Sequence, residues 1–155
     1  MMRTGILHAD GAARGNPGPA AIGVVVTDSD GAELKAFGEA IGVATNNVAE
    51  YRALIAGLQA ARDLGIDSLR VRLDSELLVR QMTGAYRVKS AHLKPLHELA
   101  RTLASTFADV RFEHVPRSEN ARADALCNQA LDAPEREAAP DPHAPDEAAP
   151  HPRLF

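Results

Sequence analysis

Four acidic residues, Asp10, Glu50, Asp74 and Asp124, stand at positions where a merely solvating charge is not expected. Asp10 and Asp74 each close a run that reads as a β-strand, and strand ends are where side chains from distant parts of a chain can meet in a cleft. Glu50 and Asp124 lie beside the apolar stripes of two helices rather than opposite them. An acid at the margin of a core-facing stripe is partly desolvated unless something pairs with it, and a divalent cation with a preference for hard oxygen ligands would do so. Each acid alone has an ordinary structural explanation. Asp74, directly before "SELL", suits a helix N-cap, and Glu50 has Arg52 and Arg62 on its own helix as partners. It is the set of four that points to chemistry.

The stretch "HADGAARGNPGP", residues 8–19, raises a second possibility, a glycine-rich loop cradling a phosphate. It leads into a strand rather than a helix, and no Gly-Lys-Ser/Thr follows, so a tight turn behind a carboxylate fits it better than a nucleotide-binding loop.

These residues must be positioned by elements that the hydrophobic pattern supplies. Residues 3–10, "AAIGVVVTD" at 20–28 and "AELKAFGEAIG" at 32–42 read as three strands of an antiparallel meander. Residues 46–65 carry Val48, Tyr51, Leu54, Ile55 and Leu58 on one helical face and stop at Gly65. "SLRVRLD", 68–74, alternates as a strand. A short helix at 75–82, a second long helix at 92–107 with Pro95 in its first turn, a strand at 109–115 and a last helix complete the order. The order βββαβααβα implies an α/β domain with a mixed sheet.

Composition bounds the rest. A chain of 155 residues, 45% hydrophobic with no Trp, is one domain with an aliphatic core. The formal charge of −4 is uneven: residues 133–155 carry −3 and residues 1–132 only −1. A near-neutral body excludes a broad basic nucleic-acid footprint but leaves room for a local one. The single cysteine, Cys127, allows no internal disulfide and fits a reducing cytoplasm. An acid comes too early for a signal peptide, and no apolar run is long enough to span a membrane.

"ADGAARGNPGPAAIG", "ATNNVAEYRALIAGL", "LDSELLVRQM" and "VPRSENARADALCNQA" resemble, in order and spacing, the four active-site segments of type 1 ribonuclease H. The resemblance covers about residues 3–132 and is nearest to the form found in archaea and actinobacteria. It implies a ribonuclease H-like fold with a five-stranded mixed sheet, an antiparallel meander of strands 1–3 joined by parallel strands and flanked by helices. It further implies that Asp10, Glu50, Asp74 and Asp124 are metal-binding catalytic carboxylates holding two Mg²⁺ or Mn²⁺ ions. The implied reaction is endonucleolytic cleavage of the RNA strand of an RNA–DNA hybrid, leaving 3′-hydroxyl and 5′-phosphate ends. Two ions ~4 Å apart suit such a displacement. Gly11, Asn16, Asn46, Asn47 and Ser75 become candidates for sensing the 2′-hydroxyl in the minor groove. Thr45 resembles a phosphate contact on the DNA strand, and Asn46 also suits a helix N-cap. The alternative is a module of the same fold that binds hybrids with little or no catalysis, which the intact four acids oppose.

The sequence departs from the best-known bacterial members in two places. Arg117 stands where a mobile loop His would be expected, so a cationic contact to phosphate or product is assigned to Arg117, and the strand residue His114 is left unassigned. The basic protrusion is missing, but residues 80–94 hold Arg80, Arg87, Lys89 and Lys94 with no acid, and Lys89 is taken as a phosphate contact. Glu76 stands where some members carry a Gln that touches RNA; it either faces away or sits as an outer neighbour of the metals. The segment from 133 onward, rich in Pro, Ala and acids, is expected to be disordered. Its last residues, Leu154 and Phe155, weakly resemble peptides that dock on a sliding clamp. A monomer is expected.

Overall fold

The computed structural model describes residues 2–138, and its elements follow one another in the order read from the sequence. The strands are β1 (Thr4–Ala13), β2 (Gly18–Asp28), β3 (Glu33–Ala44), β4 (Ser68–Leu73) and β5 (Asp109–His114). The helices are α1 (Asn46–Asp63), α2 (Glu76–Met82), α3 (Lys94–Ala104) and α4 (Ala121–Ala138), the last entered through a 3-10 turn at Arg117–Asn120. The sheet order is β3-β2-β1-β4-β5. β1, β2 and β3 pair antiparallel, and β4 lies parallel to both β1 and β5. This is the mixed α/β sheet of a ribonuclease H-like fold.

Alternation along β1 and β2 assigns the two faces of the sheet. Leu7 pairs with Val26 and Ala9 with Val24, and all four join the large core beneath α1 and α3. Asp10 pairs with Gly23 and Ala12 with Ala21, on the face that α4 covers, where Ala21, Cys127 and Leu131 form a smaller core. α4 lies very close there. A Cβ on Gly23 would run into the Ala123 carbonyl, and one on Gly38 into that of Leu126. The sheet is therefore buried on both faces at β1 and β2, with Leu7, Val24, Val26, Leu54, Leu58, Leu69 and Val71 fully enclosed on the α1 side.

Several boundaries differ from the sequence expectation, each for a physical reason. β1 does not end at Asp10; it runs on to Ala13 because β2 keeps pairing with it through Ala13↔Ala20. What stops near Asp10 is the parallel partner, whose pairing with β1 ends at His8↔Arg72. The N-cap of α1 is Thr45, not Asn46, and that of α2 is Ser75, not Asp74. In each case the extended residue immediately before the helix has a hydroxyl that accepts from the third helical amide, Val48 or Leu78. α4 continues through Ala138, past the boundary expected at residue 132, over a segment containing the helix formers Glu, Arg and Ala. The clamp-like residues Leu154 and Phe155 lie outside the described residues. Among the described residues no helix is long and apolar enough to cross a membrane.

Candidate active site

The four carboxylates arrive from four elements and meet where β4 stops beside β1. Asp10 comes from the α4 face of β1, and Glu50 from the second turn of α1 on the opposite side of the sheet. Asp74 follows the last residue of β4, and Asp124 sits in the first turn of α4. Ala9, Asp10, Gly11, Glu50, Leu73, Asp74, Ser75 and Leu78 line a narrow notch at this point.

Asp10 is 7% exposed, and its Oδ2 has no hydrogen-bond partner among the described residues. Burial, above all, pushes its carboxyl up to about 8; the charge of Asp74 and the adjacent Asp124 add to this, and Arg117 opposes it. Glu50 is half-buried and is pushed up to about 7, first by burial, with the Ser75 hydroxyl opposing and Asp74 adding to the rise. Asp74 thus acts on both Asp10 and Glu50, which places it electrostatically between them. Asp124 takes a long hydrogen bond from Asn128 Nδ2 at 3.4 Å and lies 3.7 Å from the Arg117 guanidinium. The cluster cannot hold all its negative charge at neutral pH without positive charge supplied from elsewhere.

That deficit is what a hard divalent cation relieves, and all four donors are carboxylates, so the donor set fits Mg²⁺ or Mn²⁺. Among the described residues no three Asp, Glu, His or Cys side chains are gathered closely enough to cage one ion by themselves.

The other sequence candidates divide by what they already bind. Asn16 Oδ1 accepts from the Asn46 amide at 3.0 Å, and Asn46 Oδ1 accepts from the Ala13 amide at 2.8 Å. These two carboxamides lock the turn after β1 onto the start of α1. The Thr45 and Ser75 hydroxyls each accept a helix-cap hydrogen bond, and that of Ser75 also acts on Glu50. Asn47 is exposed and, with Asn16, Pro17, Thr45, Arg52, Ser90 and His92, lines an open cleft of about 560 Å³ beside the notch. Lys89 is exposed between the buried Val88 and Ser90. Arg117 projects from the 3-10 turn with its side chain 77% exposed. His114, exposed, ends β5. Glu76 is exposed and pairs with Arg80 at 2.8 Å, one turn along α2.

Gly11 has a role that the sequence did not reveal. A Cβ there would collide with the Ala49 carbonyl, so its missing side chain is what lets α1 carry Glu50 in against β1. Asn120, which no motif singles out, is 1% exposed and donates from Nδ2 to the Ala9 carbonyl at 3.0 Å. Its available signal was a spacing of one helical turn before Asp124. Tyr51 belongs to the apolar stripe of α1, yet its buried hydroxyl donates to Gln81 Oε1 at 2.6 Å and ties α1 to α2.

A mixed five-stranded sheet with acids converging between β1 and β4 defines the ribonuclease H-like class of nucleic-acid-processing domains. Residues 8–130 match the family described as reverse transcriptase-like. The chain is 51% identical over 132 residues to ribonuclease HI of Halobacterium salinarum, covering 84% of this chain and 66% of that protein. It is 49% identical over 137 residues to the bifunctional protein Rv2228c of Mycobacterium tuberculosis, covering 88% of this chain. The chain therefore spans about two-thirds of the first relative's length and 38% of the second's. Among solved structures, the N-terminal RNase H domain of Rv2228c superposes with a TM-score of 0.84 at 47% identity, over 88% of this chain and 99% of that one. LC11-RNase H1, solved in complex with an RNA/DNA hybrid, superposes with a TM-score of 0.78 at 46% identity, over 83% and 96%. The chain belongs to the ribonuclease H family.

Proposed function

We propose that this chain is a metal-dependent endoribonuclease that hydrolyses the RNA strand of RNA–DNA hybrids and leaves 3′-hydroxyl and 5′-phosphate ends. The observation that carries this reading is the gathering of Asp74 and Asp124 about a buried Asp10 whose Oδ2 is unpartnered, with Glu50 in the same notch. Asp10, Glu50, Asp74 and Asp124 would hold two Mg²⁺ or Mn²⁺ ions. Bound there, such a pair supplies activation of the attacking water and positive charge for the leaving 3′ oxygen.

The chain's own groups account for the rest. Asp10 would hold a cation in its ionised form, because ligating carboxylates must be ionised. Arg117, beside Asp124 and largely exposed, contacts the scissile phosphate or the product. The exposed Asn47 and the turn held by Asn16 and Asn46 face the sugar edges of the minor groove, where the 2′-hydroxyl distinguishes RNA. The Gly11 backbone and the Ser75 hydroxyl lie nearest the carboxylates. Thr45 borders the adjoining cleft as a DNA-strand contact, and Lys89 supplies a phosphate contact. The folded unit acts as a monomer in the cytoplasm. The hybrid complex of LC11-RNase H1 supports the substrate class.

Incubation with labelled RNA–DNA hybrid, duplex DNA and duplex RNA, with Mg²⁺, Mn²⁺ or EDTA, tests the proposal. Cleavage confined to the hybrid, abolished by EDTA and by Asp10→Asn, is expected. Binding of the hybrid without cleavage in either metal would replace it with the binding-module reading.

A further inference from the structure

The buried amide of Asn120 lies outside every role described so far. Its side chain bridges two places that the fold must hold in register: the peptide just before Asp10, and the turn that opens directly into the helix bearing Asp124. The two partners are 111 residues apart in the chain, so local structure does nothing to align them. The β4 ladder along β1 ends at His8↔Arg72, one residue short of Ala9, and the Asn120 amide meets the Ala9 carbonyl where that ladder has run out. Asn120 and Asp124 are four residues apart, one turn, and so lie on the same side of the chain as it enters α4.

The choice of residue is costly for a purely structural purpose. Donation from Nδ2 to Ala9 fixes which way the amide points, and it leaves the buried Oδ1 without a partner among the described residues. An apolar side chain would remove the unpaired Oδ1 but would also take the Nδ2 donor from the Ala9 carbonyl. What the amide supplies, and an apolar group does not, is a directional tether between β1 and the start of α4.

We infer that Asn120 is a positioning residue that holds Asp124 at the distance from Asp10 required for joint ligation of a divalent cation. This rests on the metal-dependent reading above. Asn120 does not touch the cation; it acts through Asp124. Groups that orient metal ligands in this way typically alter metal affinity by about 10–100-fold when removed.

Two variants test it in the full chain, Asn120→Leu, which keeps the branched heavy-atom outline with bulkier ends and removes the hydrogen bond, and Asn120→Ala, which removes it without added bulk. Mn²⁺ binding is measured by calorimetry, and the melting temperature is taken in EDTA. Mn²⁺ association weaker by about tenfold is expected in both variants, each still giving a cooperative melt in EDTA. In an Asp124→Asn background the same substitutions should produce no further loss, because the effect passes through Asp124. Unchanged Mn²⁺ affinity in the folded leucine variant would overturn the inference, as would an equal further loss in the Asp124→Asn background. A wild-type chain that binds no Mn²⁺ would instead overturn the metal-dependent reading on which the inference stands.

Discussion

Around Asp10 the molecule leaves polar atoms unanswered, whereas around Asn16 and Asn46 it binds them to its own backbone. The first region is buried, crowded with like charge and short of donors: burial and neighbouring acids lift Asp10 to about 8 and Glu50 to about 7. The second is exposed, uncharged and already hydrogen-bonded, Asn16 to Asn46 and Asn46 to Ala13. The contrast separates two ways of serving a site. A residue held against its own protonation preference is poised to change state when a ligand arrives. A residue already committed to a turn serves mainly by shaping the surface, and it contacts a substrate with the capacity left over.

Asp10→Asn tests the contrast most severely. It should lower hybrid cleavage by about 10³-fold or more, roughly 4 kcal/mol of barrier. Cleavage within tenfold of wild type would show that the buried pole is not the catalytic one.

The second test is the pH dependence of stability without metal. A carboxyl whose pKa is raised on folding favours the folded state most below its unfolded value, near 4 for these acids. That contribution is lost as pH rises through the folded values of about 7 for Glu50 and about 8 for Asp10. The melting temperature in EDTA should therefore fall between pH 5 and 8. Mn²⁺ should restore it, and Asp10→Asn should flatten the profile while raising stability at pH 8. A melting temperature that climbs over this range would contradict the assigned shifts.

Asn46→Ala probes the opposite region. Losing the acceptor for the Ala13 amide should cost about 1 kcal/mol, read as a drop of ~2–4 °C in melting temperature for a domain of this size. Metal-free pH dependence should be unaltered, because Asn46 is not part of the charged pole. Lys89→Ala should leave the fold intact and reduce the salt slope of hybrid binding by about one; an unchanged slope would remove Lys89 from the interface. Glu76→Gln, which breaks an exposed pair with Arg80, should have the smallest effect, with no measurable change in melting temperature.

Much of the fold was legible because its signals are local. The run Ala20 to Asp28 and the helical stripe of Val48, Tyr51, Leu54, Ile55 and Leu58 announce themselves through periodicity alone. The errors fell where neighbours in space overrule neighbours in sequence. Asp10 was read as a strand end because a Gly/Pro-rich stretch follows shortly after, yet β2 carries the pairing on to Ala13. Two caps were misplaced by one residue, since Thr45 and Asn46, or Asp74 and Ser75, are both chemically suited and backbone geometry chooses between them.

The sequence by itself determined which residues could carry charge to a cation, the order of strands and helices, and the α/β class. These follow from residue chemistry and from periods of two and 3.6, which need only a few neighbouring residues. Only the tertiary structure decided that Asp10, Glu50 and Asp74 share one notch and that Asp124, more than a hundred positions from Asp10, lies against it. It also decided that the bare Cα of Gly11 admits the Ala49 carbonyl, and that Asn120 reaches back to Ala9. Desolvation and like-charge repulsion depend on what surrounds a group in space, so the raised proton affinities of Asp10 and Glu50 exist only once the two faces of the sheet have been covered.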